Sequence, residues 1–378
     1  MRLLLAIANL VLICMLITAC AEKPLNTIDS KNMPNLTNTS LHKDAPANIR
    51  DPLTISAIGD ILIHKRVYTN AKTKSGYDFL PMLDQVKPYL TKSDITIANE
   101  ETMIGGKELG LSGYPSFNSP KEVGEALKAS GVDIVSIANN HSLDKGETGI
   151  RHAIKNWEDL GMMYTGAYKS RKDQQQIRVY KTPAQPSVAF LSYTYGTNGI
   201  KTPAGKSYLV NRINYSVIKS DINRAKKRAD AIVISFHFGK QYHPLPTQEQ
   251  KKLSQFAADQ GVDVVIGHHP HVLQPLEWLT GKNGNKTLVA YSLGNFFSGQ
   301  DAFQKRIGGM LTFDLVTTSN KKDPIQAEDP RFLITFVSSE GAYKYEVVPM
   351  ASLKKYSGDY EETKKHLSQW MPELSFIN

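Results

Sequence analysis

The sequence predicts an α/β (α+β) protein with two stacked, mixed β-sheets flanked by helices. After residue 51, short runs of aliphatic residues alternate with amphipathic segments of helical period, which is the pattern of β-α-β units with helices outside a sheet. After residue 300 the pattern changes to strands separated by short turns, as in antiparallel hairpins. Parallel strands followed by antiparallel strands indicate two stacked sheets in one domain.

The individual elements follow from these periodicities. Candidate strands of the first part are 53–58, 95–98, 134–138, 187–191, 231–236, 262–266 and 287–292. Candidate helices are 79–90, 120–130, 148–160, 215–229 and 247–260, two of which end in typical stop signals, Ser130-Gly131 and Gln260-Gly261. The later part has hairpin strands at 309–316, 332–338 and 343–348, a turn at Glu340-Gly341 and a last helix at 360–371.

The first nineteen residues are predicted to be a signal peptide rather than part of the fold. The apolar run 3–16 follows Arg2 and is too short to span a bilayer comfortably. It ends in Leu16-Ile17-Thr18-Ala19-Cys20, which resembles a bacterial lipoprotein lipobox and implies cleavage before Cys20 and a lipid on its sulfur. The expected location is therefore the cell membrane, on the extracytoplasmic face, and the exported domain would have no disulfide.

Residues 20–50 are expected to tether the domain to this lipid. The segment is rich in Asn, Thr, Ser, Pro and Lys and poor in apolar residues, so it cannot bury enough surface to fold. A flexible coil of this length spans about 30 Å. The formal charge of +9 suits anionic envelope polymers or lipid headgroups, and no nucleic-acid-binding motif is present.

Polar residues follow five of the predicted strands at the point where each strand ends. They are Asp60, then Asn99, Glu100 and Glu101, then Asn139, Asn140 and His141, then His237, and finally His268 and His271. Because the carboxyl ends of parallel strands share one edge of a sheet, we expect these groups to converge on one rim.

This set of donors predicts a metal centre. Carboxylates, an amide oxygen and neutral imidazoles without thiolates suit Mn²⁺, Zn²⁺ or Fe²⁺. The donors exceed what one tetrahedral ion needs, whereas two ions bridged by a carboxylate would use them all and would activate water against an anionic ester. Glu100 and Glu101 are adjacent, so we expect only one to face the rim and the other to be solvated. His64 is expected to be a polar neighbour rather than a ligand.

With these residues assembled, the chain resembles the CapA family of poly-γ-glutamate capsule biosynthesis proteins. The matching segments are Ile58-Gly59-Asp60, Asn99-Glu100-Glu101, the run from Ala138 to Asp144, His237-Phe238-Gly239, the run from Gly267 to Val272, and the run from Tyr291 to Phe296. The resemblance implies a calcineurin-like metallophosphoesterase fold, a four-layer sandwich, formed by residues 51–300 and completed by residues 301–378.

The resemblance also implies residue roles. Asp60 would bind the first metal, Glu101 would bridge the two metals, and Asn140 and His237 would bind the second. His268 and His271 would each bind one ion of the pair, and His269 stands at a variable position of the motif and is excluded. His141 would protonate the leaving oxygen, with Asp144 orienting it. Residues expected to support the ligands are His64, Asn99, Asn139, Gln241 and Asn295.

The sequence departs from the family pattern at two positions. The superfamily's usual Asp-x-His is missing, because Ile61-Leu62 follows Asp60 and the nearest histidine is His64. This departure predicts a weaker first metal site. Gln241 stands where the family often has an acid, which predicts altered substrate binding or an altered contact to a ligand.

The principal hypothesis is a surface lipoprotein that acts in poly-γ-glutamate or capsule polymer synthesis, export or anchoring as a phosphoesterase-type, metal-dependent hydrolase. Its expected partners are an anionic polymer or phosphoester, the cell membrane and membrane-bound capsule-synthesis proteins. One alternative is a non-catalytic, metal-stabilised scaffold or polymer-binding protein. Another is an amide hydrolase or transferase acting on γ-glutamyl or cell-wall substrates.

Overall fold

The computed structural model describes residues 50–319, 324–340 and 344–378. The predicted signal peptide, Cys20, the tether up to residue 49 and Gly341 lie outside the described residues. Among the residues described, no helix is both long enough and apolar enough to cross a membrane.

The described chain combines strands with helices as far as residue 259 and then continues mainly as strands until the last helix, Ser357–Ser368. The strands are β1 Leu53–Leu62, β2 Ile95–Glu100, β3 Ile134–Ser136, β4 Met163–Thr165, β5 Arg178–Tyr180, β6 Val188–Thr194, β7 Ala231–His237, β8 Val264–His268, β9 Leu273–Thr280, β10 Lys286–Leu293, β11 Asn295–Ser298, β12 Ile307–Thr317, β13 Ile325–Ser338, β14 Glu346–Pro349 and β15 Ser375–Phe376. The α-helices are α1 Lys65–Asn70, α2 Lys87–Leu90, α3 Glu122–Ala129, α4 Gly146–Asp159, α5 Arg171–Gln174, α6 Tyr215–Ala225, α7 Gln248–Asp259 and α8 Ser357–Ser368.

The strands form two mixed sheets. The first sheet has the order β14-β13-β12-β1-β2-β3-β4, with β11 beside β1 and β15 beside β13. The second has the order β5-β6-β7-β8-β10-β9. Strands β1 to β4 are mutually parallel, as are β6, β7, β8 and β10, whereas β12 to β14 are antiparallel. The later strands therefore extend the sheet that β1 begins.

The two sheets stack face to face with helices outside. Alternate residues along a strand point to opposite faces, so Ile55 of β1 packs with Val233 of β7 between the sheets, while Ile58 packs with Trp157 of α4 on the outer face of the first sheet. On the outer face of the second sheet, Ile232 packs in a cluster with residues of α6 and α7. This arrangement confirms the predicted fold class of two stacked mixed sheets flanked by helices.

The predicted helix at 79–90 is wrong. The segment forms a 3₁₀ turn, Leu80–Met82, and the short α2, Lys87–Leu90, each with a proline in its first turn. Proline lacks a backbone N–H and clashes with the preceding turn, so Pro81 and Pro88 fit the starts of two short elements but not one continuous helix. The sequence reasoning also missed β9, because Pro275 weakens its strand pattern. The proline is accommodated because β9 is an edge strand paired only with β10.

Candidate metal centre

The polar residues at the strand ends come together at one rim, where both sheets contribute. Asp60 on β1 is in register with Asn99 on β2, and His237 at the end of β7 is in register with His268 at the end of β8. All four side chains are buried. The predicted convergence is therefore present in the folded chain.

Gly59 allows the chain to bring Asp60 into this position. A Cβ atom on Gly59 would lie 2.2 Å from the carbonyl oxygen of Gly294, a distance that no side chain can occupy. The close approach lets the Asp60 N–H donate to the same Gly294 oxygen at 2.8 Å, and the pairing of β1 with β2 shifts register between Ile58 and Asp60. A glycine before the aspartate is thus required by the packing of β1 against the loop after β10.

One cluster of metal-binding groups consists of Asp60, Glu101 and His271. One donor atom from each lies within 4.8 Å of the others. His271 Nδ1 is 3.0 Å from Asp60 Oδ2 and 3.1 Å from Asn295 Oδ1, and its Nε2 is 3.7 Å from Glu101 Oε1. We call this cluster the first donor group.

A neighbouring cluster, the second donor group, consists of Glu101, His237 and His269, whose donor atoms also lie within 4.8 Å of one another. His237 Nε2 is 3.5 Å from Glu101 Oε1 and 2.7 Å from Asn140 Oδ1, so the amide oxygen of Asn140 is a fourth donor at this position. Glu101 belongs to both groups and is the one carboxylate placed to lie between two ions.

His269 is the residue that the sequence reasoning excluded and that the structure brings into the second donor group. His268 belongs to neither group, although its Nδ1 lies 3.2 Å from Asp60 Oδ1. Both His269 and His271 have left-handed backbone conformations, with φ of 95° and 57°, which are uncommon for non-glycine residues and are concentrated at functional sites. The His-x-His spacing of 269 and 271 is the sequence signal that could have identified the pair.

Glu100 is not solvated, contrary to the expectation for one of two adjacent acids. The side chain is fully buried, and Oε1 accepts a hydrogen bond from the Thr102 hydroxyl at 3.0 Å. Burial raises the pKa of Glu100 well above its usual value. The prediction failed because β2 ends beneath covering loops, so that both sides of the strand end are enclosed.

The electrostatics of the cluster fit cations. Burial opposes ionisation of Asp60, but hydrogen bonds from His268 and His271 outweigh it and hold the pKa of Asp60 well below normal. Burial also disfavours a charge on His271, yet Glu101 and Asp60 raise its pKa to about 9, so the imidazole holds a proton that a cation would displace. Burial lowers the pKa of His237 and lowers that of His269 to about 2. These two imidazoles are therefore neutral, which is the form in which histidine binds a metal ion.

Buried polar atoms without a hydrogen-bond partner are concentrated at the same place. Among the described residues they include both carboxylate oxygens of Glu101, the Oδ1 of Asn99 and the Nδ1 of His269. An unsatisfied buried polar atom is costly. A divalent cation would satisfy such donors, so the residues present fit the metal that the sequence predicts.

His141 and Asp144 form a pair beside the second donor group. His141 Nδ1 lies 2.7 Å from Asp144 Oδ2, and the backbone N–H of Phe117 donates to the same oxygen at 2.7 Å. The His141 N–H of the backbone donates to Asn139 Oδ1 at 3.0 Å. These contacts fix the ring with Nδ1 toward the carboxylate and leave Nε2 as the nitrogen for a ligand.

The other residues expected to support the ligands lie around the centre. Asn99 Nδ2 donates to Asp60 Oδ1 at 2.8 Å, and Asn139 Nδ2 donates to the carbonyl of Glu100 at 2.8 Å. Gln241 Nε2 is 3.5 Å from His271 Nε2. His64 stands immediately before α1 with Nδ1 2.9 Å from the carbonyl oxygen of Leu62, and it belongs to neither donor group.

A cleft of about 900 Å³ opens above the second donor group. Asn140, His141, Asp144 and His269 form part of its wall. The remaining wall includes Gln241, which the sequence analysis expected near the ligands. It also includes residues that the sequence analysis did not identify: Tyr114, Ser116, Tyr195, Asn198, Ile200, Lys240 and Tyr242. His269 of the second donor group and its neighbour Asn140 therefore border an open cleft large enough for a substrate.

Two stacked mixed sheets with a buried carboxylate–imidazole centre at the strand ends define a metallophosphoesterase-like fold. The model of the bacterial capsule synthesis protein family PGA_cap matches residues 54–300, and the chain belongs to this family. The resemblance to CapA proteins is thereby confirmed.

Similar curated proteins carry capsule-related names. The chain is 29% identical over 289 residues to the capsule biosynthesis protein CapA of Bacillus anthracis, covering 72% of this chain and 66% of that protein. It is 28% identical over 280 residues to the PGA biosynthesis protein CapA of Bacillus subtilis (strain 168), covering 70% and 68% respectively. The matched region thus spans about two thirds of each relative's length.

Similar solved structures include a phosphoesterase and a phosphatase, both of low sequence identity. The calcineurin-like phosphoesterase YfkN from Bacillus subtilis is 13% identical with a TM-score of 0.48, over 83% of this chain and 99% of that one. A phosphatase from Mycoplasma pneumoniae is 15% identical with a TM-score of 0.43, over 75% and 94%.

Proposed function

We propose that this protein is a metal-dependent hydrolase of an anionic phosphoester in the synthesis of a capsule polymer. The observation that carries the proposal is the buried cluster around Glu101, where two donor groups share one carboxylate and several donor atoms have no other partner. Two divalent ions, Mn²⁺, Zn²⁺ or Fe²⁺, suit this mixture of carboxylate, amide and imidazole. Such a pair of ions polarises the ester and activates water for attack.

In this proposal Asp60, His271 and Glu101 hold the first ion. Glu101, Asn140, His237 and His269 hold the second. His269 replaces His268 in the ligand set because its donor atom lies with those of Glu101 and His237. His268, Asn99 and Asn295 keep the first-group carboxylate and imidazole in place through their contacts with Asp60 and His271.

His141 acts as the general acid, and Asp144 orients it. Hydrolysis would consume one water, whose oxygen forms the new bond to phosphorus and which releases one proton to solvent, while the bond from phosphorus to the leaving alcohol oxygen breaks. That oxygen takes a proton from His141 Nε2, which regains one from solvent, and the 2.7 Å contact between His141 Nδ1 and Asp144 Oδ2 holds the ring in place for this transfer. Orientation by a buried carboxylate is the usual way of fixing a catalytic imidazole.

The cellular part of the proposal rests on the family and on the N-terminal sequence. The family and the similar CapA proteins are named for capsule synthesis or PGA biosynthesis. We propose that the chain acts in synthesis, export or anchoring of the polymer, next to membrane-bound capsule-synthesis proteins. The lipobox-like run ending in Cys20 supports a lipid anchor at the extracytoplasmic face of the membrane.

Metal content and hydrolysis of a simple phosphodiester, bis(p-nitrophenyl) phosphate, test the proposal together. We expect two ions per wild-type chain and metal-dependent turnover. Asn140→Ala and His237→Ala should remain folded but lose turnover, whereas His243→Ala, which removes an exposed imidazole outside both donor groups, should retain both properties. Bound metal without turnover in the wild type would contradict the hydrolase and favour the scaffold. Unchanged turnover in the two ligand variants would contradict the site.

A further inference from the structure

The cleft above the metal centre has an unusual concentration of exposed aromatic side chains. Seven large apolar side chains are exposed in the part of the chain that the structure describes, and four of them line this cleft: Tyr114, Tyr195, Ile200 and Tyr242. Tyr114 is the most exposed, at 77%. A contiguous exposed apolar surface rimmed by polar groups marks a binding site, and tyrosine offers a rigid face for contact at low entropic cost.

Each of the three cleft tyrosines, Tyr114, Tyr195 and Tyr242, approaches a different histidine of the site. The ring centroid of Tyr195 is 4.7 Å from that of His269, and the centroid of Tyr242 is 6.0 Å from that of His271. Tyr114 reaches His141 through Phe117, with centroid separations of 6.3 Å and 4.7 Å. Lys305 Nζ lies over the Tyr242 ring, 3.4 Å from its centroid, and Tyr114 is separated from His141 by Phe117. Tyr195, which contacts His269 directly, is therefore the tyrosine placed to stack on a ligand at the second donor group.

The charges of the cleft wall do not match a polyanion along its length. The wall contains one lysine, Lys240, and one carboxylate, Asp144, which is already bound to His141 and the Phe117 N–H. A γ-glutamyl chain carries a carboxylate on every residue, so several units in this cleft would leave most charges without a cation. The neutral side chains Asn198 and Gln241 instead match hydroxyl groups, with negative charge required only at the metal centre.

We propose that the cleft recognises a phosphoester that carries a sugar ring beside the phosphorus, with a tyrosine face stacked on the ring. The proposal rests on the proposed phosphoesterase function and names its substrate class. A volume of about 900 Å³ lies near the upper end of the usual range for ligand pockets, so the cleft has room for a sugar on at least one side of the phosphate. Asn and Gln side chains of the wall bind the hydroxyl groups.

A pair of matched ligands tests this inference without requiring turnover. Glucose 1-phosphate and glycerol 1-phosphate carry the same phosphate and differ in the ring, and calorimetry on the metal-loaded full chain gives the ratio of their dissociation constants. Stacking on one aromatic face predicts roughly two- to tenfold tighter binding of the sugar ester. A ratio near one in the wild type would overturn the proposal even if bis(p-nitrophenyl) phosphate is hydrolysed.

Variants of Tyr195 separate stacking from a general structural effect. In Tyr195→Ala the ratio should fall toward one, whereas Tyr195→Phe should preserve it because the ring face remains. A disturbance of nearby His269 would weaken both ligands equally, since both bind through phosphate, and would leave the ratio unchanged. The matched control is Tyr215→Ala, because Tyr215 is similarly exposed but packs on Phe256 outside the cleft. An unchanged ratio in Tyr195→Ala would contradict the proposal.

Polymer binding provides an independent comparison. The full chain should bind a sugar-phosphate polymer more tightly than poly-γ-glutamate, and Tyr195→Ala should reduce this preference. Preferential binding of poly-γ-glutamate that does not depend on Tyr195 would overturn the inference while leaving the hydrolase proposal intact. If the wild type shows no turnover but still prefers the sugar ligand, the hydrolase proposal alone would be contradicted.

Discussion

Replacing His269 and His268 separately distinguishes a ligand from its neighbour. Both imidazoles are buried and consecutive in sequence, so either alanine variant removes a similar volume. Only His269 belongs to a donor group, where Glu101, His237 and Asn140 are the remaining donors. We expect His269→Ala to weaken the second ion by more than about 100-fold, since even residues that only support ligands typically contribute 10- to 100-fold.

The size of this weakening can be measured as a change in the metal-dependent stability of the folded protein. An ion present at 100 times its dissociation constant stabilises the folded state by about 2.7 kcal/mol, and a 100-fold weaker site at the same concentration retains only about 0.4 kcal/mol. His269→Ala should therefore lose about 2.3 kcal/mol of metal-dependent stabilisation. The difference between denaturant unfolding with and without added metal gives this quantity and cancels the cost of the substitution itself.

His268→Ala should keep more of the stabilisation, because His268 acts on the metal only through its 3.2 Å contact with Asp60. Elemental analysis after dialysis provides the second measurement, with His243→Ala as the control. The reasoning would be refuted if His268→Ala lost an ion while His269→Ala retained two, because the donor positions would then not predict the ligands.

Three further predictions concern neighbouring residues. Because burial raises the pKa of Glu100 well above its usual value and so favours the neutral carboxyl, the neutral replacement Glu100→Gln should change the free energy of unfolding by less than about 1 kcal/mol, the net value of one hydrogen bond; urea titration checks this. Gly59→Ala should lower the free energy of unfolding by roughly 1–3 kcal/mol, because the added Cβ would lie 2.2 Å from the Gly294 oxygen. Gly358→Ala is the control and should be neutral or stabilising, because no atom lies within 4 Å of its added Cβ. Although burial opposes it, hydrogen bonding to Arg50 and Ser187 lowers the pKa of Asp230 to about 2. Because this pKa is below the unfolded value of about 3.9, the ionised Asp230 contributes its full stabilisation above pH 4 and loses it as the pH falls toward 2. After allowance for solvent screening, the free energies of unfolding of wild type and Asp230→Asn should differ by about 1 kcal/mol at pH 7. The two free energies should converge near pH 2.

The convergence of the site could be predicted because it depends on topology. Side chains such as Asp60, Asn99 and His237 follow runs of buried aliphatic residues, and parallel strands bring their ends to one edge whatever the details of packing. The strand runs are themselves short-range patterns in the sequence. This part of the prediction therefore needed only the direction of each strand.

The identity of individual ligands depends on backbone conformation, which the strand pattern does not determine. His268 ends β8, but the chain then enters left-handed conformations at His269 and His271. This turn brings the next two imidazoles toward the carboxylates. The exclusion of Glu100 from solvent likewise depends on loops that cover the strand end. The cleft tyrosines come from loops with no periodic signal, so only the folded chain reveals them.

The missing Asp-x-His motif has a structural explanation. Strand β1 does not end at Asp60 but continues through Ile61 and Leu62, which pair with β11, so the position that would hold the usual histidine lies within a buried strand. His64 comes too late to compensate, because its Nδ1 lies 2.9 Å from the Leu62 oxygen and 3.2 Å from the Gly299 nitrogen. The first donor group therefore has three protein donors where the second has four. It follows that an ion in the first donor group should exchange more readily than an ion in the second. Because Glu101 is shared by both groups, retention of the first ion should depend on whether the second site is occupied.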